Sequence, residues 1–177
     1  MAAAILKNIT TSKLHTMPSA LPQRLHADAT PPPTDPIAIA HGLAGQLAAT
    51  AIERDRHGGH AARERGLIRE SGLLTLSVPR EFGGQGAGWS TVNQVIRILA
   101  RADSALAHLF GFHHLQLAGI QLYGNAQQQR RLLTATAQDG LFWGNALNPL
   151  DQRAVASDHG DGYLLTGIKS FSSGSGG

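Results

Sequence analysis

The stretch Gly140–Pro149, GLFWGNALNP, marks a change of period along the chain and sets the fold class. It is short, aromatic and bounded by glycine and proline, which reads as a strand. Beyond it, AVAS (154–157) and YLLTG (163–167) flank the turn-forming cluster Asp158-His159-Gly160-Asp161-Gly162. More strands are expected there, joined by a turn. Before Gly140 the pattern is helical. Five helices followed by a run of strands predicts an α+β chain with two consecutive regions, because alternating βαβ units would mix the two periods.

Working back from Gly140, the helices announce themselves through their ends. Asn125 opens the fifth, AQQQRRLLTATAQ, with Leu132 and Leu133 as its apolar anchor. Asp103 caps a fourth that runs through Leu106, Leu109, Phe110, His113, Leu117 and Ile120 to Gly124. Ser90 is the expected cap of a third, with Val92, Val95, Ile96 and Leu99 on one face. Asp35 followed by Pro36 starts the first, where Ala40, Leu43, Leu47 and Ala51 repeat at helical spacing to about Arg56. A shorter helix spans Ala61–Ser71, turns Leu67 and Ile68 inward, and ends at Gly72. Residues 1–33, rich in Thr, Ser and Pro, read as a flexible leader. The helical domain is expected over 34–140 and the first part of a β domain over 141–177.

Between the second and third helices lies LLTLSVPREFGGQGAGW (73–89), with too many glycines for regular structure and with Phe82 and Trp89 as expected aromatic pegs. Its GGQGAG run invites comparison with phosphate-binding loops. The spacing departs from the dinucleotide fingerprint, since Trp89 stands where the third glycine belongs, and a structural loop is the favoured reading.

Composition narrows the function classes. With 177 residues and 42% hydrophobic content, one sizeable core is within reach. The net charge of +3 is not gathered into one stripe, which argues against nucleic acid. No cysteine is present, so disulfides and thiolate metal sites are excluded. No run approaches the ~20 apolar residues of a membrane span, and the start lacks a secretory pattern. A cytoplasmic protein is expected. Nine histidines include the pairs His57/His60 and His113/His114, yet no third ligand has clear spacing, so no metal is expected. Ser172, Ser173 and Ser175 have no identifiable base, which leaves hydrolase chemistry without support.

Two features suggest a site. His108 and Phe112 are four apart on the fourth helix, so they share a face. They fit a common pocket, and a histidine bonded to the backbone fits equally. Asn145 is an amide in an apolar segment, where burial requires partners for both its oxygen and its NH2. A ligand or a backbone group can supply them.

Taken in order, SGLLTLSVPREFGGQGAGW (71–89), ADSALAHLFGFHHLQ (102–116), GLFWGNALNP (140–149) and DGYLLTGIKSFSSGS (161–175) resemble the acyl-CoA dehydrogenase superfamily. LFGFHH, FWGNALNP and GIKSFSSG are most similar to the branch containing dibenzothiophene monooxygenase and the sulfur-acquisition oxidoreductases. The resemblance implies an amino-terminal helical domain, a β domain and a carboxy-terminal four-helix bundle, in a tetramer. It implies flavin as cofactor, with reduced FMN favoured and FAD possible. In that branch reduced FMN comes from a separate reductase, reacts with O2 and passes an oxygen atom to a small organosulfur substrate.

By the same resemblance, His108 is the catalytic candidate, matching a histidine that stabilises or protonates the oxygenated flavin, and Phe112 lines the substrate pocket. Asn145 and Ser173 match polar positions that face the flavin. Typical dehydrogenases carry T-E-P-x-x-G-S-D where this chain has Leu147-Asn148-Pro149-Leu150-Asp151. That departure counts against thioester oxidation with FAD, the alternative enzyme reading. In the family's frame SFSSGSGG (170–177) falls partway through the β domain, so an amino-terminal fragment without its bundle, inactive alone, is expected. A non-catalytic helical module that binds a partner is the third reading.

Overall fold

Asp35 accepts a hydrogen bond from Ile37 N at 3.0 Å, and Pro36 follows as the first helical residue, so the first helix begins where local chemistry dictates. The computed structural model describes residues 35–148, 150–160 and 162–174. The leader expected over 1–33 lies outside the described residues, as do Pro149, Asp161 and Ser175.

Five helices come first: α1 (Pro36–His57), α2 (Ala62–Glu70), α3 (Trp89–Ala102), α4 (Ser104–Tyr123) and α5 (Ala126–Asp139). Two strands follow, β1 (Ala154–His159) and β2 (Gly162–Gly167), paired antiparallel from Ala154 opposite Gly167 to His159 opposite Gly162. The α+β order is thus as expected. Among the described residues, no helix is long and apolar enough to cross a membrane.

The core is built by three helices. Ala40, Leu43 and Leu47 of α1, Val92, Val95 and Leu99 of α3, and Leu106, Ala107 and Phe110 of α4 are buried together. Ile68 of α2 closes one end, with Leu67 packed at its edge. A second cluster of Val78, Leu117 and Leu133 joins α4 to α5, with Phe82 and Trp143 against it. α4 buries residues on several faces, including His113 and His114, and so runs through the middle.

Asp103 and Asn125 cap α4 and α5 as their positions predict, the latter in a reciprocal capping box with Gln128. Ser90 does not cap α3. Gly88 occupies that position in extended conformation, so the helix starts two residues earlier than a Ser90 cap implies, at Trp89. Nor is Trp89 a peg: at the first helical position the residue is 45% exposed. LFWGNAL (141–147) makes no strand among the described residues, only a single bridge between Asn145 and Ser173. Side-chain contacts to α4 and α5 take the place of a ladder there.

Residues 73–88 are tightly wound. Leu73, Leu74, Leu76 and Val78 are buried around two 3-10 turns, Leu73–Thr75 and Arg80–Phe82. The glycines let the returning chain touch its own start, and a Cβ on Gly84 would collide with the Val78 carbonyl oxygen and Cβ. Gly84→Ala is therefore expected to lower stability by about 1–3 kcal/mol. Gly66→Ala, inside α2 with open space around its Cβ position, is expected to raise it by about 0.5–1 kcal/mol. Urea unfolding midpoints of the two variants check both signs.

Candidate functional site

Capping at Asp103 sets the phase of α4, and that phase places His108, Phe112 and Gln116 in one row. The His108 and Phe112 rings lie 4.6 Å apart between centroids, tilted at 58°. The shared face expected from their spacing is present. His108 Nε2 also lies 3.0 Å from Ser173 Oγ, a contact between residues 65 apart in sequence.

Ser173 is held in turn by Asn145, whose backbone N–H donates to the Ser173 carbonyl at 2.8 Å. Asn145 is buried. Its Oδ1 accepts from Gln116 Nε2 at 2.8 Å and from Leu147 N at 3.1 Å. Its NH2 meets no acceptor among the described residues.

Four candidates from three separate segments therefore meet beside α4. His108 borders two hollows. One, of about 870 Å3, is lined by the end of α1, the start of α2 and Ser173, and includes Arg54 and Arg65. The other is an open groove of about 440 Å3 between α3 and α4, lined by Trp89, Ile96, Phe112 and Leu115. The polar pair His108–Ser173 and the apolar groove thus share one histidine.

Gln116, the cluster around Asp151, and His113 carry no site signal of their own in the sequence. Gln116 holds Asn145, and its only trace is that it continues the four-residue spacing of His108 and Phe112. Asp151 accepts from Arg153 Nε at 2.7 Å and Nη2 at 2.8 Å, and from Ser170 Oγ at 3.2 Å. The Arg153 bonds, with those from Ser170, hold its carboxyl well below the usual carboxylate range. Lys169 Nζ donates to the carbonyls of Asn148 and Asp151 at 2.9 and 2.8 Å. Together these bonds tie the chain before β1 to the chain after β2, close to Ser173.

The third is His113, buried with His114 at the centre of α4. His113 Nε2 lies 2.8 Å from the Leu74 carbonyl, and Trp143 N donates to Nδ1 at 3.1 Å. Burial lowers its pKa to about 4, against the opposing effect of the Leu74 carbonyl. Burial, and then neighbouring His113, lower His114 to about 3. His114 Nδ1 meets Ser77 Oγ at 2.7 Å, and its buried Nε2 has no hydrogen-bond partner among the described residues.

The GGQGAG loop is structural. The amides of Gly84, Gln85, Gly86 and Ala87 donate to the carbonyls of Pro79, Thr75, Val78 and Leu76, leaving none of the four for phosphate. No three His, Asp or Glu side chains gather as a metal site among the described residues.

The family profile described as acyl-CoA dehydrogenase, N-terminal domain, matches residues 39–139. The chain belongs to this family. The matched span of the acyl-CoA dehydrogenase amino-terminal domain runs from α1 through α5. The chain is 50% identical over 151 residues to a Pseudomonas putida protein named "Probable FMNH2-dependent monooxygenase SfnC", covering 85% of this chain and 38% of that protein. It is 47% identical over 146 residues to dibenzothiophene monooxygenase of Rhodococcus qingshengii, covering 79% of this chain and 35% of that enzyme. The solved structure of methanesulfinate monooxygenase MsuC from Pseudomonas fluorescens superposes with a TM-score of 0.76 at 47% identity, over 78% of this chain and 36% of that one. The chain spans little more than a third of the length of these relatives. The matched acyl-CoA dehydrogenase amino-terminal span holds His108 and Phe112 of the candidate site, and Asn145 and Ser173 lie beyond it.

Proposed function

We propose that this domain serves a reduced-flavin-dependent monooxygenase that oxidises a small organosulfur compound. The observation that carries the reading is the contact of His108 Nε2 with Ser173 Oγ, beside the Phe112 ring and the apolar groove. A histidine poised to move a proton at the reacting oxygen and an apolar surface for the substrate are what sulfur oxygenation requires. The similarity to SfnC, dibenzothiophene monooxygenase and MsuC points to the same chemistry.

The residues suit a flavin. Asn145 offers an NH2 that donates to none of the described residues, the kind of donor that a ring carbonyl or ring nitrogen satisfies. Ser173 offers a hydroxyl whose orientation His108 sets. When bound, reduced flavin supplies the electrons that activate O2. His108 Nε2 holds or moves the proton, Phe112 supports the imidazole and faces the substrate side, and Asn145 and Ser173 orient the cofactor. In this reading 34–140 is the helical domain and 141–177 the first part of the β domain. The enzyme is a cytoplasmic tetramer supplied with reduced FMN by a separate reductase.

The test uses the enzyme that contains this domain, supplied with reduced FMN, O2 and methanesulfinate or dibenzothiophene. Oxygen incorporation that depends on reduced FMN, and that falls sharply in His108→Ala, is the expected result. Flavin reduction by an acyl-CoA without a reductase would overturn the reading in favour of a dehydrogenase.

A further inference from the structure

We infer that His113 is a positioning residue, whose single tautomer pins the segment 142–145 to α4 and thereby sets Asn145 and Ser173 against His108. Both of its partners are backbone groups of fixed polarity. The Leu74 carbonyl at 2.8 Å can only accept, so Nε2 carries the hydrogen. The Trp143 N–H at 3.1 Å can only donate, so Nδ1 is bare. A neutral imidazole with its hydrogen on Nε2 is the one form that satisfies both.

The pinned segment leads straight to the site. Two residues beyond Trp143, Asn145 Oδ1 accepts from Gln116 of the same helix, and Asn145 N donates to the Ser173 carbonyl. Ser173 Oγ then meets His108. The contacts form a closed path that leaves α4 at His113 and returns to it at His108. Other groups steady the aromatic pair within it: the Phe142 and His113 rings stand nearly perpendicular with centroids 5.4 Å apart, and Trp143 Nε1 donates to Thr136 Oγ1 at 2.8 Å. Those contacts hold side chains. Among the described residues, the acceptor for the Trp143 backbone N–H is His113, and a buried backbone donor without its acceptor is expensive to keep in place.

The significance for catalysis rests on the proposed role of His108, Asn145 and Ser173, but the geometry can be tested without flavin. In the 177-residue chain, a 15N–15N coupling across the hydrogen bond between Trp143 N and His113 Nδ1 is expected, with Nδ1 at the shift of an unprotonated ring nitrogen. Its absence would overturn the inference.

Two variants then separate positioning from simple core filling. His113→Asn puts an amide oxygen where Nδ1 was and keeps an acceptor for Trp143. His113→Gln puts an amide nitrogen where Nε2 was and keeps only the bond to Leu74. Amide exchange at Trp143 and Asn145, read against Phe110 as a core reference, is expected to speed up about tenfold or more in the Gln variant and to stay near the parent value in the Asn variant. Equal losses in both variants, or unchanged Asn145 protection in His113→Gln, would overturn the inference. Should the Gln variant not fold, the coupling and the Asn variant still decide it. None of these readouts involves flavin, so the outcome is independent of the proposed activity.

Discussion

Lowering the pH from 7 to 4 is expected to destabilise the chain by about 3 kcal/mol for each of the two buried histidines, His113 and His114. Both are fully buried, and their folded-state pKa values are about 4 and about 3 against an ordinary 6.5. Above pH 6.5 the imidazoles are neutral in the folded and unfolded chain alike, and neither contributes a pH slope. Below 6.5 the unfolded chain takes up protons that the folded chain refuses until the pH falls through its own lowered values. Proton uptake by the unfolded state pulls the equilibrium toward unfolding, so stability falls as pH falls. Asp151 has a lowered pKa too, but its stabilising contribution is lost only at still lower pH, below the ordinary 3.8 of its carboxyl. Urea unfolding at steps between pH 7 and 4.5 checks the slope, and His114→Leu should remove about half of it. A flat profile over that range would show that these rings are not excluded from water as their burial indicates.

Removing the Asp103 side chain comes next in size: Asp103→Ala is expected to cost about 3 kcal/mol. One oxygen accepts from Leu106 N at 2.9 Å and caps α4, a role worth about 1 kcal/mol. The other accepts from Arg54 Nη2 at 2.7 Å and ties the end of α1 to the start of α4. Breaking a buried ion pair by deleting one partner costs about 3–5 kcal/mol, because the remaining charge stays buried. Here the loss is softened, since Arg54 is 23% exposed and keeps Glu64 at 3.5 Å as a second partner. Asp103→Asn retains a good cap and loses only the charge, so its cost should be about 1–2 kcal/mol. Arg54→Met combined with Asp103→Ala should cost less than the two singly, since each alone strands the other. If Asp103→Asn and Asp103→Ala prove equal, the capping bond contributes nothing.

Helix limits were legible in the sequence wherever a cap is a bond between near neighbours. Asp35 to Ile37, Asp103 to Leu106 and Asn125 to Gln128 are such bonds, and all three starts fell where the residues place them. Ser90 misled because Gly88, with no side chain to announce it, adopts the extended cap conformation two residues earlier. The face shared by His108 and Phe112 follows from helical period alone. The hairpin of β1 and β2 forms around the expected turn cluster, although Asp158, His159 and Gly162 of that cluster belong to the strands.

The long-range pairings belong to the tertiary structure. LFWGNAL has the composition of a strand, but whether such a segment joins a ladder depends on what packs beside it, and here that neighbour is the buried His113 of α4. Ser173 is one of several serines in a glycine-rich stretch, and only the Asn145 bridge and the Asp151–Ser170 bonds bring it to His108. By itself the sequence determined which helices form, where three of them begin, and which family the chain resembles, because those depend on local hydrogen bonds and on the order of segments. The tertiary structure alone decided that His108, Ser173 and Asn145 meet and that His113 holds them so. Those contacts join groups far apart in sequence, and their free energy depends on burial that the folded core supplies.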